Sequence, residues 1–497
     1  MACLIAAPTS GSGKTLLSLS LAAWARAQGV SLQTFKVGPD YLDPQLLSRV
    51  SGRPCRNLDT LLCGEDWVRT CFHRHGSQAD LALVEGVMGL FDGRGPTSEG
   101  SSAAVALLLD LPVVLVVEAS RQAGSVAALV RGFRDHDPGL RLAGVVLNRV
   151  GGERHRQLLA DALAAIEVPV LGVLPPSDSL ALPSRHLGLL PPDEVQDLPQ
   201  RLEAWAELAG RCLDLPRWRA LLQAPAAGGS GAGAPPAAQA VAAGAPLALR
   251  GEGTPLTIAV ARDAAFHFLY PEARELLEEA GASVVPWSPL ADEPLPAGCR
   301  GVVLPGGYPE LHHQALAAAR RSLGDLAAAA AAGLPIYAEC GGLLLLGDQL
   351  HGPGDDGDAP GAAMAGVLPF RAGRGALSLG YRRSRARVDG LVLRRGEQHW
   401  GHEFHRWQLH PSSNPQNRQR CPLAARQGLW QLDGWGVPLQ EEGWSAPNVH
   451  ASWLHLHWGG CPEIPRRLVA ASAVAAPWNS GSSGRTIAPT RPRSAGI

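Results

Sequence analysis

The chain has 497 residues, and its 44 Lys and Arg against 45 Asp and Glu leave a formal net charge of -1. That length suits two or three domains, and the balanced charge gives no electrostatic ground for nucleic acid or an anionic membrane as a partner. The longest apolar run, around Leu111–Val117, is interrupted by Asp110 and Glu118, too short to cross a bilayer, and the start Met1-Ala2-Cys3-Leu4-Ile5-Ala6 reads as a buried strand rather than a signal peptide.

In chain order, strand patterns fall at Cys3–Ala7, Leu32–Val37, Leu81–Glu85, Pro112–Val117, Leu142–Leu147 and Val170–Val173, with helical stretches such as Thr15–Ala27 and Ser101–Leu109 between them. Strands alternating with helices predict an α/β domain, a parallel sheet covered on both faces, over residues 1–223. Residues 224–254 are Ala, Gly, Pro and Ser with almost no large apolar side chain, which predicts a flexible linker. A second α/β domain is expected over 255–462, through Leu256–Ala261, Gly301–Leu304 and Leu334–Ala338. From 463 to 497 the chain turns polar, and a disordered tail is expected. The nine cysteines are scattered without metal-ligand spacing, as suits a reduced, cytoplasmic chain.

Pro8-Thr9-Ser10-Gly11-Ser12-Gly13-Lys14-Thr15 follows the first strand and opens a helix. Gly11 and Gly13 let the backbone curl so that its N–H groups face a phosphate at the positive end of the helix. Lys14 is placed to reach the outer phosphates of ATP, and the Thr15 hydroxyl to ligate Mg²⁺. Pro8 stands where the usual motif has its first glycine, and Thr9 stands where ParA/MinD-type ATPases carry a second signature lysine. The chain has only two lysines, Lys14 and Lys36, each in a segment suited to phosphate, where a compact ammonium fits better than a planar guanidinium. Lys36 and Asp40 close the second strand, at the sheet edge where ligands bind in open α/β folds. Glu85 closes the third and is a further Mg²⁺ ligand candidate. Asp92, before Gly93, is equally suited to a turn or to a substrate contact.

In the second half, Ile336-Tyr337-Ala338-Glu339-Cys340-Gly341-Gly342 reads as a strand, a sharp turn and a helix, with Cys340 a nucleophile exposed on the elbow. Gly306, Gly307 and Gly341 offer backbone N–H groups for an oxyanion and glutamine site. His455 and His457, in Ala451–Trp458, share one face of a strand-like run and are candidates for the base; His402 and His405 are a rival pair. The four histidines also allow a metal site, though no companion spacing supports it.

These segments resemble the cobyrinate a,c-diamide synthase family. The resemblance rests on Lys36–Asp40, Glu85–Gly93, Leu182–Leu189, Ala261–Phe268, Glu339–Gly342, Gly401–His405 and Ser452–His457, in family order. It implies a dethiobiotin-synthetase-like P-loop ATPase domain fused to a class I glutamine amidotransferase. The implied activity is ATP-dependent amidation of the a and c carboxylates of cobyrinate in cobalamin biosynthesis, with glutamine or ammonia as nitrogen source. Hydrogenobyrinate and a nickel sirohydrochlorin are rival substrates, and a regulatory ATPase with an inactive amidotransferase domain is a rival of another class. Cys340 matches the glutaminase nucleophile and His455 its histidine. Lys14, Thr15 and Glu85 match the ATP–Mg²⁺ site, with Asp40 a further contributor. Tyr41 and Asp92 fall where the carboxylate of a cobyrinate-like tetrapyrrole is held. A homodimer is left open. Two positions depart from the pattern: His457 stands where other class I amidotransferases have a glutamate, and Trp453 where Tyr is commoner.

Overall fold

Apolar β-branched segments such as Val113-Val114-Leu115-Val116-Val117 cannot face water on either side, and they build the centre of the first domain. Its seven strands are β1 (Cys3–Ala6), β2 (Leu32–Val37), β3 (Arg56–Leu58), β4 (Leu81–Glu85), β5 (Val113–Glu118), β6 (Leu142–Asn148) and β7 (Val170–Val173). They pair parallel in the order β3-β2-β4-β1-β5-β6-β7. The order reverses at β1, so the ends of β1, β2 and β4 surround one crevice. Two helices frame it: α1 (Lys14–Ala27) starts at the crevice, and α2 (Leu42–Ser51) follows the loop after β2. The structure, a computed structural model, describes residues 2–177, 184–185, 188–189, 194–195, 197–226, 256–355, 360–412 and 426–479.

The short pair β8 (Ser184–Arg185) and β9 (Gly188–Leu189) is antiparallel. The rest of the Leu182–Leu189 motif, and most of the expected linker, lie outside the described residues. The second domain opens with β10 (Leu256–Ala261), β11 (Ala282–Trp287), β12 (Cys299–Leu304) and β13 (Ile336–Glu339). It continues through β14 (Gln349–Leu350), β15 (Ala362–Ala363), β16 (Phe370–Ala386), β17 (Gln398–Pro411), β18 (Arg426–Gly434), β19 (Val437–Ala446) and β20 (Val449–Ser452). The order β11-β10-β12-β13-β20 is a parallel core, which then runs through antiparallel β19, β18 and β16. β17 pairs with β16 as a long antiparallel ribbon. Each main sheet has buried apolar clusters on both faces.

The expected tail is corrected at its start. Glu463–Val474 is a helix, and its Ile464, Leu468 and Val469 are buried in the second domain's core. Apolar side chains at i, i+4 and i+5 form one helical stripe, which pulls the segment onto the sheet despite its arginines.

Candidate active site

At the first crevice, Gly11 and Gly13 adopt φ of +80° and +109°, which only glycine takes without strain. The loop is held from below: the Asn148 side-chain amide donates to Ser12 O at 2.9 Å, and the Ser12 hydroxyl donates to Thr9 O at 2.9 Å. Lys14 Nζ donates to Met88 O at 2.5 Å, so the loop after β4 crosses the phosphate loop. Burial, reinforced by the charge of Lys36, pushes the Lys14 ammonium down to about 8.

Lys36 lies at the centre of the crevice, with Nζ 2.5 Å from Asp43 Oδ2, 2.8 Å from Glu85 Oε1 and 3.5 Å from Asp40 Oδ2. Burial opposes its charge, but Asp43 and Glu85 outweigh that and hold its pKa well above the usual lysine value. Thr15 Oγ1 donates to Glu85 Oε1 at 2.9 Å. Burial, then the charge of Asp43, pushes Asp40 up to about 7, and burial raises Glu85. Gly11, Gly13, Lys14, Thr15, Lys36, Asp40 and Glu85 are thus brought together, and Asp43, which the motif reading did not single out, joins them. Glu85 Oε2 is buried without a hydrogen-bond partner. A fully buried carboxylate oxygen with an open lone pair beside the Thr15 hydroxyl is the donor chemistry a hard divalent cation takes. Asp92 Oδ2 accepts from Gly89 N at 2.8 Å, which pins the turn after β4. Both lysines are buried, 7% and 2% exposed.

At the second centre, Cys340 sits between β13 and the helix Gly341–Leu345 with φ of 45° and ψ of −104°. The chain packs too tightly there for side chains. A Cβ on Gly341 would lie 2.9 Å from Gly307 N, one on Gly342 2.1 Å from Leu304 O, and one on Gly306 2.5 Å from His455 Cε1. Gly306, Gly307, Gly341, Cys340 and His455 therefore share one place. A narrow cleft opens beside Cys340, lined among others by Gly307, Glu310, His405 and Trp453. Burial pushes Glu310 up to about 7.

His455 is buried and exchanges backbone hydrogen bonds with His402, at 2.9 and 3.0 Å. Burial disfavours its charge, but the Cys340 sulfur, by charge and hydrogen bond, and then Glu339 more than offset that and raise it to about 10. His Nδ1 lies 3.7 Å from Glu339 Oε2 and 3.4 Å from Tyr41 Oη. Its expected companion does not share its surroundings. His457 turns to the domain interface, 4.7 Å from the Trp67 ring and 3.7 Å from Glu272. Burial and Arg56 push His457 down to about 3, and burial does the same to His402. His405 stacks on Trp453 at 3.9 Å. The four histidines do not form a metal centre: among the described residues no three His, Cys, Asp or Glu converge to hold one.

The two centres touch. Tyr41, two residues before Asp43 of the first crevice, stacks on Phe268 at 5.1 Å and lies 4.5 Å from Tyr270. Arg56 bonds Glu272 at 3.1 Å and Glu275 at 2.6 Å, Tyr381 donates to Asp59 at 2.8 Å, and Gln45 donates to His267 O at 2.9 Å. A small cavity of about 10 Å³ lies under this seam, lined by Tyr41, Tyr270 and Glu339 among others. Sequence reasoning did not bring out Asp43, Asn148, Glu339 or this seam. Asp43 and Glu339 lay inside quoted motifs, and a carboxylate two residues after Tyr41 and another directly before Cys340 were the available signals.

A phosphate-loop domain docked on a domain with a cysteine elbow defines a glutamine-dependent carbon–nitrogen ligase. Residues 3–190 match the CobQ/CobB/MinD/ParA nucleotide binding domain, and residues 257–462 the CobB/CobQ-like glutamine amidotransferase domain. The chain is 41% identical to cobyrinate a,c-diamide synthase of Synechococcus sp., over 95% of this chain and 98% of that one. It is 42% identical to the protein of that name from Gloeobacter violaceus, over 94% and 96%. It is 40% identical to hydrogenobyrinate a,c-diamide synthase of Streptomyces coelicolor, over 94% and 96%. The chain belongs to the cobyrinate a,c-diamide synthase family.

Proposed function

We propose that the protein amidates the a and c side-chain carboxylates of cobyrinate, with ATP as activator and glutamine or ammonia as nitrogen source, in cobalamin biosynthesis. The observation that carries this reading is the seam itself: Tyr41, next to the Lys36–Asp43–Glu85 cluster, lies 3.4 Å from His455 of the cysteine centre. A substrate carboxylate oxygen attacks the γ-phosphorus of ATP, ADP leaves, and an acyl phosphate forms. Lys14 and Lys36 are the cations that face the charge spread over the transferring group. Thr15, Asp40 and Glu85 are the residues to hold Mg²⁺, which supplies neutralisation of phosphate charge when bound. At the other centre, Cys340 Sγ attacks the glutamine amide carbon, His455 moves the proton, ammonia leaves, and water later releases glutamate from the thioester. The ammonia displaces phosphate from the acyl phosphate. Tyr41 and Asp92 are our candidates to hold the tetrapyrrole carboxylate.

Hydrogenobyrinate is the second reading, favoured by relatives of that name at 40% identity. Amidation assayed on both tetrapyrroles with ATP and glutamine, scored by mass, separates the two. Among the described residues no helix is long and apolar enough to cross a membrane. Among the described residues eight cysteines are free, which supports a reducing, cytoplasmic setting. Cys340→Ala is expected to abolish glutamine-dependent amidation and to keep amidation from added ammonium. Loss of both in a folded variant overturns the division of labour.

A further inference from the structure

Sequence motifs supply a nucleophile and a base, but an imidazole that shuttles a proton also needs one tautomer and one orientation. His457 cannot provide them, because it faces Trp67 and Glu272 across the domain seam. The titratable groups around His455 are Cys340, Glu339, Tyr41 and His405, with His402 paired to its backbone. Only one of these is a carboxylate.

We propose that Glu339, the residue immediately before the nucleophile, is the positioning acid of His455, so that a single turn of chain carries both the nucleophile and the group that orients its base. This rests on the reading of Cys340 and His455 as the glutaminase pair. Glu339 is 5% exposed and its two oxygens are differently committed. Oε1 accepts from Tyr337 Oη at 2.5 Å and from Leu456 N at 3.2 Å. Tyr337 is itself held by Trp458 Nε1 at 3.3 Å. Two fixed donors on Oε1 leave Oε2 aimed at His455 Nδ1, 3.7 Å away. A carboxylate there keeps the proton on Nδ1 and leaves Nε2 free to take the thiol proton. The imidazolium that results is stabilised by the same charge. Tyr41 Oη approaches the same nitrogen but is neutral, so it shares the position without supplying the charge.

The decisive variant is Glu339→Gln. It keeps the volume and the Oε1 acceptor but turns an amide N–H toward Nδ1, which selects the tautomer with the proton on Nε2, the wrong one for a base. By analogy with the amide variant of a protease triad, glutaminase kcat is expected to fall roughly 100- to 10,000-fold. KM for glutamine and amidation from ammonium are expected to stay within about threefold, since neither uses the tautomer. Losing the carboxylate charge lowers the imidazolium pKa. The pH profile of Cys340 alkylation by iodoacetamide is therefore expected to move its acid limb upward. Glu339→Asp, which keeps the charge, is expected to recover part of kcat. Wild-type kcat and an unmoved alkylation profile in Glu339→Gln, with Cys340→Ala inactive, overturn the proposal. A Cys340→Ala variant that keeps glutaminase activity overturns the underlying reading instead. If Glu339→Gln also loses ammonium-dependent amidation, Tyr337→Phe decides. It loosens Oε1 and keeps the acid, a several-fold lower glutaminase kcat is expected, and wild-type kcat there sinks the proposal.

Discussion

Gly11 and Gly13 share a positive φ but differ in what surrounds them. A Cβ on Gly13 would lie 2.3 Å from Asn148 Nδ2, whereas one on Gly11 meets nothing within 4 Å. Gly13→Ala must therefore displace the residue that braces the loop, while Gly11→Ala bears only the left-handed backbone cost of about 1–2 kcal/mol. We expect Gly13→Ala to lose nucleotide binding by calorimetry and Gly11→Ala to weaken it by roughly tenfold. Equal effects would show that strain, not the Asn148 brace, governs the loop. Lys14, Thr15, Cys340 and His455 could be proposed from the sequence because phosphate and thiol chemistry need specific residue types at short fixed spacing. Asn148 and Glu339 were not, since an amide under a loop and an acid behind an imidazole acquire their roles only when distant strands meet.

Among elements, the parallel strands β4 and β7 were legible to the residue, because burial leaves a nearly continuous apolar run. β3 was not: it has three residues, and its Arg56 is buried only because acids of the other domain neutralise it. The β16–β17 ribbon was equally hidden, since Arg374, Arg382, Arg383 and Arg385 break the apolar alternation that would announce it. The helix Glu463–Val474 was read as tail, although Ile464, Leu468 and Val469 carried the helical period. Burying three such side chains contributes about 5 kcal/mol, comparable with the total stability of a domain. A chain ending at residue 462 is therefore expected to lose its cooperative thermal transition or its solubility. An unchanged Tm would mean that the helix only rests on the surface.

For the whole molecule, the domain order was legible, but the docking was not, because every contact across the seam pairs residues more than 200 positions apart. Arg56 is 5% exposed and bonds Glu272 and Glu275 of the second domain. Removing one partner of a buried ion pair costs about 3–5 kcal/mol. Arg56→Ala is expected to split thermal unfolding into two transitions, read by calorimetry, while each isolated activity persists. A single unshifted transition would place the cohesion of the domains elsewhere. The scarcity of lysine has its own consequence. Both ammonium groups are buried at the nucleotide crevice, so the exterior presents guanidinium as its only side-chain cation besides histidine. An acylating reagent that seeks side-chain amines finds no decoys on the outer surface, and its covalent mark becomes a gauge of whether the crevice is filled.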